Sequence, residues 1–515
     1  FGGKIGIVPY IMPGFALAKK AAEVFEQDPT VEGLILLGHG HFAFGETAKE
    51  SYDQIISHTQ AVADYLRIEN PTNLFTRNPH AASHIFPIIR GLIGDMIGQN
   101  SPMPIMDLRN GKDELQFLKR NDLEELSTRG TASPDHVIRI KSRPLILRET
   151  IWSKGREAIK QELDKYAEEY KAMFERQAPL ANQPKTMLPT DPKNIWMEGI
   201  GLIGLGANAK AASIAGDLAV QNARVRAIGE DAGGFRPISE KDLFDCEYWS
   251  LEQAKLGKGA PPKFQGKIVM ITGGSGTIGF AIAEAFSKLG AQTVLVDKDE
   301  TTLKKAITKL GHGHGYFPID VTEADAADQA MLAAIQKFGG LDILVSNAGA
   351  AHAGPMLSIS NDELRSAFEL NFFSHYSFST AAAKILKNQN RGGQILFNIS
   401  KQAVNPGRNF GAYGLPKATT FFLMRQLALE LGSDGIRVNG VNADRIRSGL
   451  LTDDFISSRA KSRGVSESEY MAGNLLSKEV TAEHVADAFT SLACAESTTG
   501  HVMTVDGGNI EASLR

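Results

Sequence analysis

The chain has 515 residues, too many for one ordinary hydrophobic core, so two or three domains are expected from size alone. Its 43% hydrophobic residues, 22% charged residues and 51 glycines describe a globular enzyme with many tight strand-to-helix turns and exclude a disordered or fibrous chain. A net charge of −4 without any run of Lys and Arg argues against nucleic acid or an anionic membrane as partner, and no apolar stretch approaches the roughly 20 residues that span a bilayer.

The chain opens at Phe1, with no charged leader or cleavage site, and reads as a fragment or trimmed product. Residues 5–10 read as a strand, 15–25 as a helix and 33–37 as a second strand, so an α/β unit is expected over residues 1–150. After that second strand comes Gly38-His39-Gly40-His41. Histidines two apart on extended chain point the same way, as a divalent metal would require, although two histidines alone do not make a site.

Residues 151–257 read as a connecting region, with an exposed, charged, amphipathic helix over 154–176 and a strand-turn-helix passage near 195–221. Within it, Gly199-Ile200-Gly201-Leu202-Ile203-Gly204 matches a dinucleotide pattern literally. The preceding Asp191-Pro192-Lys193-Asn194 leaves little room for a full buried strand, and a packed turn is expected there. The glycines and prolines of Gly257-Lys258-Gly259-Ala260-Pro261-Pro262-Lys263 suit neither helix nor strand, placing a linker at 258–265. The two cysteines, Cys246 and Cys494, lack metal-type spacing and fit a reducing cytoplasm.

From 266 to 515, short apolar strands at 267–272, 292–297, 341–346, 394–399, 436–441 and 502–505 alternate with amphipathic helices, the first at 280–289. This alternation predicts a Rossmann-type, doubly wound parallel sheet covered on both faces. The turn Thr272-Gly273-Gly274-Ser275-Gly276-Thr277-Ile278-Gly279 joins its first strand to its first helix. Glycines there let the backbone approach a pyrophosphate while the helix start offers free N–H groups. Asp297 ends the next strand, where a carboxylate accepts from ribose hydroxyls and repels a 2′-phosphate, favouring NAD over NADP.

The decisive feature is Tyr413-Gly414-Leu415-Pro416-Lys417, with Ser400 thirteen residues before the tyrosine. Positions i and i+4 share a helix face, so the Lys417 ammonium can stabilise a Tyr413 phenolate and lower its pKa. The phenol then exchanges a proton with a substrate oxygen as hydride moves to or from nicotinamide, and Ser400 hydrogen-bonds the same oxygen.

These residues resemble those of the short-chain dehydrogenase/reductase family. The resemblance runs from Thr272-Gly273 through Gly279, Asp320-Val321, Asn347-Ala348-Gly349, Asn371, Ser400 and Tyr413 with Lys417 to Val505-Asp506-Gly507-Gly508. It implies that Asn371 helps hold a proton-relay water near Lys417. It also implies that Asp320 and Val321 border the adenine and that Asn347, beside Ala348 and Gly349, steadies the sheet next to the cofactor. The sequence departs from the family at Thr277, where Gly or Ala is usual, at Ala443-Asp444, where Pro-Gly is usual, and at Pro416.

The segment around His39 resembles the class II aldolase/adducin domain, in which His39 would be one zinc ligand. The other ligands, a His-x-His pair and a carboxylate, have no match in residues 1–38. Together the halves resemble the bifunctional rhamnulose-1-phosphate aldolase/short-chain dehydrogenase family. That resemblance implies an NAD-dependent oxidoreductase acting on a small hydroxy or aldehyde compound from deoxysugar breakdown, in the cytoplasm and as a homo-oligomer. Two other readings are a zinc lyase with an auxiliary dehydrogenase half and a non-catalytic scaffold or cofactor sensor.

Overall fold

The computed structural model describes residues 1–68, 81–98, 101–254, 259–351, 353–449 and 451–509, so Gly257 and Lys258 of the expected linker lie outside the described residues. The chain forms two compact units. One comprises Phe1–Pro79, Asp107–Gly206 and Ala212–Ala260, and the other His80–Met106, Ala207–Ala211 and Pro261–Arg515. Among the described residues no helix is long and apolar enough to cross a membrane.

The first unit opens with β1 (Ile5–Val8), the helix Phe15–Gln27, β2 (Gly33–Leu36) and β3 (Gly40–Ala43). β1 runs parallel to β2, and β3 returns antiparallel beside it. β4 (Ile105–Arg109), β5 (Leu145–Leu147), β6 (Asn194–Met197) and β7 (Gly201–Gly206) make a second sheet, in the order β4-β7-β6-β5.

The glycine pattern at 199–204 falls in the hairpin between β6 and β7, with Met197 opposite Gly201. A buried strand does fit after Asp191-Pro192-Lys193, but an antiparallel return follows it where a dinucleotide site would need a helix. The glycines serve packing. A Cβ on Gly201 would lie 2.5 Å from the Arg109 carbonyl oxygen, and one on Gly204 2.2 Å from the Gly216 nitrogen. The charged helix Arg156–Gln177 is not exposed all round, because Ile159, Leu163, Tyr166, Tyr170 and Met173 recur at helical spacing and are buried.

The second unit holds β8 (Ile268–Thr272), β9 (Gln292–Asp297), β10 (Gly315–Pro318), β11 (Ile343–Ser346), β12 (Gly393–Ser400), β13 (Ile436–Ala443) and β14 (Val502–Val505). They form one seven-stranded sheet, β10-β9-β8-β11-β12-β13-β14, parallel throughout. Helices cover both faces, and one core gathers Val269, Ile271, Ile282, Phe286, Leu295 and Phe489. Chain order runs outward from β8 in both directions. The crevice at the strand ends between β8 and β11 is therefore the switch point where open α/β sheets bind ligands.

The helix Phe86–Ile97 belongs to this second unit. Its Arg90 is fully buried. The guanidinium donates to Asp342 Oδ2 at 2.7 Å, Gln389 Oε1 at 2.8 Å and the Pro104 and Gly266 carbonyls at 2.7 Å each. Asp342 in turn accepts the Ile268 N–H at 2.8 Å, where β8 begins. Burial alone would raise the Asp342 carboxyl, but the nearby Arg90 and Lys267 charges outweigh it and hold the group below the usual carboxylate range. Gly91 is needed next to it, since a Cβ there would come 1.9 Å from the Gln389 carbonyl oxygen.

Removing one member of a buried ion pair strands the other charge and costs about 3–5 kcal/mol. Arg90→Met should therefore lower the second unit's unfolding free energy, read from its urea midpoint, by that order, and pairing it with Asp342→Leu should recover most of the loss. An unchanged midpoint in the single variant would show that the pair does not hold this helix.

Candidate active site

The glycine turn closes on itself only because side chains are missing. Gly273 has a φ of +62°, and a Cβ on Gly279 would lie 2.1 Å from the Gly273 carbonyl oxygen. The helix Thr277–Lys288 starts there with no side chain capping it, and Gly276, Thr277, Ile278 and Gly279 line a cleft of about 1180 Å³. This combination fits a dinucleotide pyrophosphate. Thr277 is the first helical residue and is exposed, so its extra bulk does not crowd the turn's interior.

Ser275 ties the turn to β9, its hydroxyl donating to Asp297 Oδ2 at 2.7 Å, while Asp297 Oδ1 accepts the Lys298 N–H at 2.8 Å. Asp297, Asp320 and Val321 border the same end of the cleft. Asp320 accepts the Thr322 N–H at 3.0 Å and hydroxyl at 2.8 Å, which hold its carboxyl below the usual range. Asn347 Nδ2 donates to the Thr272 carbonyl at 2.9 Å, and its Oδ1 accepts from Asn398 at 2.8 Å, so one side chain links the ends of β8, β11 and β12. The Thr272 hydroxyl completes that link by accepting the N–H groups of Asn347 and Ala348.

Ser400 ends β12, and its hydroxyl hydrogen-bonds Tyr413. Tyr413 lies near the start of the helix Gly411–Leu431, with Lys417 one turn on. The helix begins two residues before Tyr413, so Pro416 falls in its second turn and removes the N–H that would bond the Ala412 carbonyl. Tyr413 and Lys417 still share a face. The Lys417 Nζ stands 5.9 Å from the Tyr413 ring centroid and donates to the Asn398 carbonyl at 3.1 Å.

Burial, leaving Lys417 only 3% exposed, depresses its ammonium to about 8. The expected lowering of the Tyr413 pKa does not prevail in this arrangement. Burial raises the phenol, and the Ser400 hydroxyl offsets only part of that rise. At neutral pH Tyr413 is therefore protonated.

Three further groups surround the lysine. His375 Nε2 lies 3.4 Å from Lys417 Nζ, and its Nδ1 lies 2.6 Å from the Ser346 hydroxyl. Burial and the lysine's charge keep this imidazole neutral, far below its ordinary pKa. Asn371 sits in a π-helical turn, Glu369–Phe373, between the helices Asn361–Phe368 and Ser374–Gln389. Such a turn inserts one residue and redirects the side chains after it. Asn371 Nδ2 donates to the Ala350 and Ala367 carbonyls, while its buried Oδ1 has no hydrogen-bond partner. A Cβ on Gly349 would lie 2.9 Å from that Oδ1 and 3.5 Å from Lys417 Nζ, so glycine keeps the gap between them open.

Asp444, which stands where the family usually has glycine, is buried at the end of β13 with both oxygens engaged. Oδ1 pairs with Lys401 at 2.6 Å, and Oδ2 pairs with Arg445 at 3.0 Å and accepts from Asn509 Nδ2 at 2.5 Å. Burial pushes this carboxyl up, but the two cations overcome it and hold it below the usual range. Lys401 directly follows Ser400, so Asp444 fixes the loop that carries the serine. Sequence reading noted Asp444 as a departure and did not find its partners.

In the first unit the two histidines of the hairpin diverge, contrary to expectation. His39 lies in the turn between β2 and β3, where its Nε2 is 2.8 Å from the Ile11 carbonyl oxygen and its ring stacks on Tyr10. His41 lies on β3 and meets His58 at 3.1 Å, and His58 reaches Glu32 at 3.3 Å. Among the described residues no three His, Cys, Asp or Glu side chains converge as metal ligands, and His39 with its neighbours does not by itself fit zinc.

A parallel sheet with a glycine turn at its switch point and a buried Ser-Tyr-Lys group beside it defines a dinucleotide-dependent oxidoreductase. Residues 274–509 match the family model described as Enoyl-(Acyl carrier protein) reductase. Residues 1–66 match the Class II Aldolase and Adducin N-terminal domain, and residues 80–256 match Aldolase class II, second domain. The chain is 29% identical to the Bacillus subtilis protein called Uncharacterized oxidoreductase YuxG, over 99% of this chain and 77% of that one. It is 30% identical to Short-chain dehydrogenase reductase 3b of Arabidopsis thaliana, over 48% of this chain and 96% of the relative. Among solved structures it is similar to 3-ketoacyl-(acyl-carrier-protein) reductase from Brucella melitensis complexed with NADH. That similarity has a TM-score of 0.43 at 26% identity and covers 47% of this chain and 98% of that one. The chain belongs to the short-chain dehydrogenase/reductase family, here joined to class II aldolase domains.

A carboxyl whose pKa is depressed on folding contributes stability above its unfolded value, ~3.9 for Asp, and loses it as pH falls through the lower folded value. Asp444 is such a group. The urea midpoint should therefore fall as pH drops below about 4, and Asp444→Asn should make that fall shallower. Parallel pH profiles for the two proteins would show that Asp444 contributes nothing to the linkage.

Proposed function

We propose that the second unit is an NAD-dependent dehydrogenase/reductase that interconverts a small hydroxy compound and its carbonyl form. The observation that carries this reading is the buried Ser400-Tyr413-Lys417 group on the cleft lined by the glycine turn. The Asp297 carboxylate at the end of β9 supports NAD over NADP, because a 2′-phosphate beside it would meet a like charge.

In the oxidative direction the substrate hydroxyl gives its proton to the Tyr413 Oη, and Ser400 holds the same oxygen. The hydride leaving the carbon is taken by nicotinamide, which is the chemistry the cofactor supplies. Lys417 stabilises the phenolate that alternates with the phenol. In our reading, a water between Asn371 Oδ1 and Lys417 Nζ passes the proton onward, since both groups face the space that Gly349 leaves open.

The resemblance to the rhamnulose-1-phosphate aldolase/dehydrogenase pairing supports a substrate from deoxysugar breakdown. Cys246 and Cys494 form no disulfide, which supports a reducing cytoplasm. Exposed Phe373, Tyr376, Leu415, Phe422 and Leu429, on or beside the helices Ser374–Gln389 and Gly411–Leu431, support self-association. The class II aldolase domains favour a second reading, a lyase activity in the first unit, for which the described residues assemble no metal ligand set around His39.

With NAD and a panel of small alcohols and hydroxyaldehydes, NADH absorbance should appear, and Tyr413→Phe should lower kcat by about 10²–10⁴-fold while NADH still binds. Oxidation needs the ionised phenol, and burial raises its pKa, so kcat/KM for oxidation should climb with pH through the neutral range. Undiminished activity in Tyr413→Phe would overturn the mechanism.

A further inference from the structure

The cleft that contains Tyr413 is charged differently at its two ends. Asp297 and Asp320 border one end, beside the glycine turn, with Lys298 3.9 Å from Asp320 as the one cation there among the described residues. Lining the other are Lys401, Arg408, Arg445, Arg459 and Arg463, against the single carboxylate of Asp444. Lys401 and Arg445 are taken up by Asp444. Arg408, Arg459 and Arg463 have no acidic partner among the described residues, so this end carries an uncompensated positive charge.

Arg459 is the best placed of the three. It lies on the helix Asp453–Arg463, half-buried, with its guanidinium carbon 5.6 Å from the Phe410 ring centroid and 5.7 Å from that of Phe455. The two rings meet edge to face, with centroids 6.2 Å apart. Phe410 immediately precedes the helix that carries Tyr413 three positions later, and no side chain caps that helix. The Arg459 Nε is buried without a hydrogen-bond partner.

Aromatic faces hold a guanidinium in place without neutralising it, and they leave its planar fork of N–H donors free. The partner such a fork matches is a carboxylate or phosphate, bound through two parallel hydrogen bonds. Asp444 nearby is paired with two cations, whereas Arg459 is positioned by rings on the cleft that Tyr413 also lines and, among the described residues, has no anion.

We propose that the substrate carries an anionic group, a carboxylate or a phosphate, at a distance from its reacting carbon, and that Arg459 receives it, with Arg408 and Arg463 adding to the local potential. This rests on the dehydrogenase reading of the same cleft and names the class of substrate it selects. A neutral hydroxyaldehyde satisfies Tyr413 and Ser400 but leaves the Arg459 fork empty.

The test uses matched substrates: a short neutral diol, the hydroxycarboxylate of the same chain length and the phosphate monoester of the diol, each with NAD. The full chain should prefer one anionic member by at least tenfold in kcat/KM, and whichever it prefers separates carboxylate from phosphate. Arg459→Gln should reduce that preference at least tenfold, and Arg459→Lys, which keeps the charge but loses the fork, should fall between. In parallel, oxamate and inorganic phosphate are titrated calorimetrically into the NADH-loaded protein, and one of them should bind with a Kd at least tenfold weaker in Arg459→Gln. Equal anion affinities in the two proteins, or a wild-type preference for the neutral diol, would overturn the proposal. If no substrate turns over yet anion binding depends on Arg459, the dehydrogenase reading fails while the anion site stands.

Discussion

The buried ammonium of Lys417 is the constraint around which the catalytic half is organised. An isolated buried charge is costly, and the usual remedy is an ion pair. Among the described residues no carboxylate pairs with the lysine. Its hydrogen-bond partners are the Asn398 carbonyl and the imidazole of His375, both neutral. That choice fixes much of the surroundings. A charged Lys417 must donate, so His375 Nε2 must accept, and its Nδ1 proton then points to Ser346. The lysine's Nζ stands 5.9 Å from the Tyr413 ring centroid.

The π-helical turn at Glu369–Phe373 bears on the same lysine. A regular helix would run from Asn361 to Gln389 without the extra residue, and the side chains on either side of the turn would then keep a single register. With the turn, Asn371 is buried with its Nδ2 held by two carbonyls, and its Oδ1 faces the gap at Gly349 that Lys417 also faces. An unpaired buried oxygen costs about 1–3 kcal/mol, a strain more in keeping with a working position than with packing. Asp444 is the opposite case. It is fully paired, and its partners Lys401 and Arg445 lie on the loops that shape the substrate end of the cleft.

What the sequence made legible was local. The spacing of Tyr413 and Lys417, the glycine turn and the alternation of apolar strands with helices depend on contacts a few residues apart, and the strands of the seven-stranded sheet other than β10 lie within a few residues of where periodicity puts them. β10 was not delimited beforehand because Gly315–Pro318 is short, only partly buried and ends in proline. Long-range pairings escaped entirely. Arg90 reaches Asp342 across 252 positions, and nothing near either residue announces it. The literal glycine pattern at 199–204 misleads for the same reason, since its glycines make room for Arg109 and Gly216 and not for a nucleotide. The parallel orientation expected of His39 and His41 assumed extended chain, whereas His39 falls in the turn of a hairpin.

The two units differ in how much chemistry each assembles from its own residues. Every group assigned to hydride transfer, from Gly273 to Lys417, and the arginines of the substrate end lie within Pro261–Arg515, so the dehydrogenase cleft needs no side chain from the first unit. The first unit buries a Tyr170, Glu247 and Tyr248 network and stacks His39 on Tyr10, yet its histidines are each committed to neighbours. Fusion of the two is therefore not required to complete the oxidoreductase site. Arg408, Arg459 and Arg463 come from the second unit as well, so any charge selectivity of the cleft is likewise built from one unit's residues.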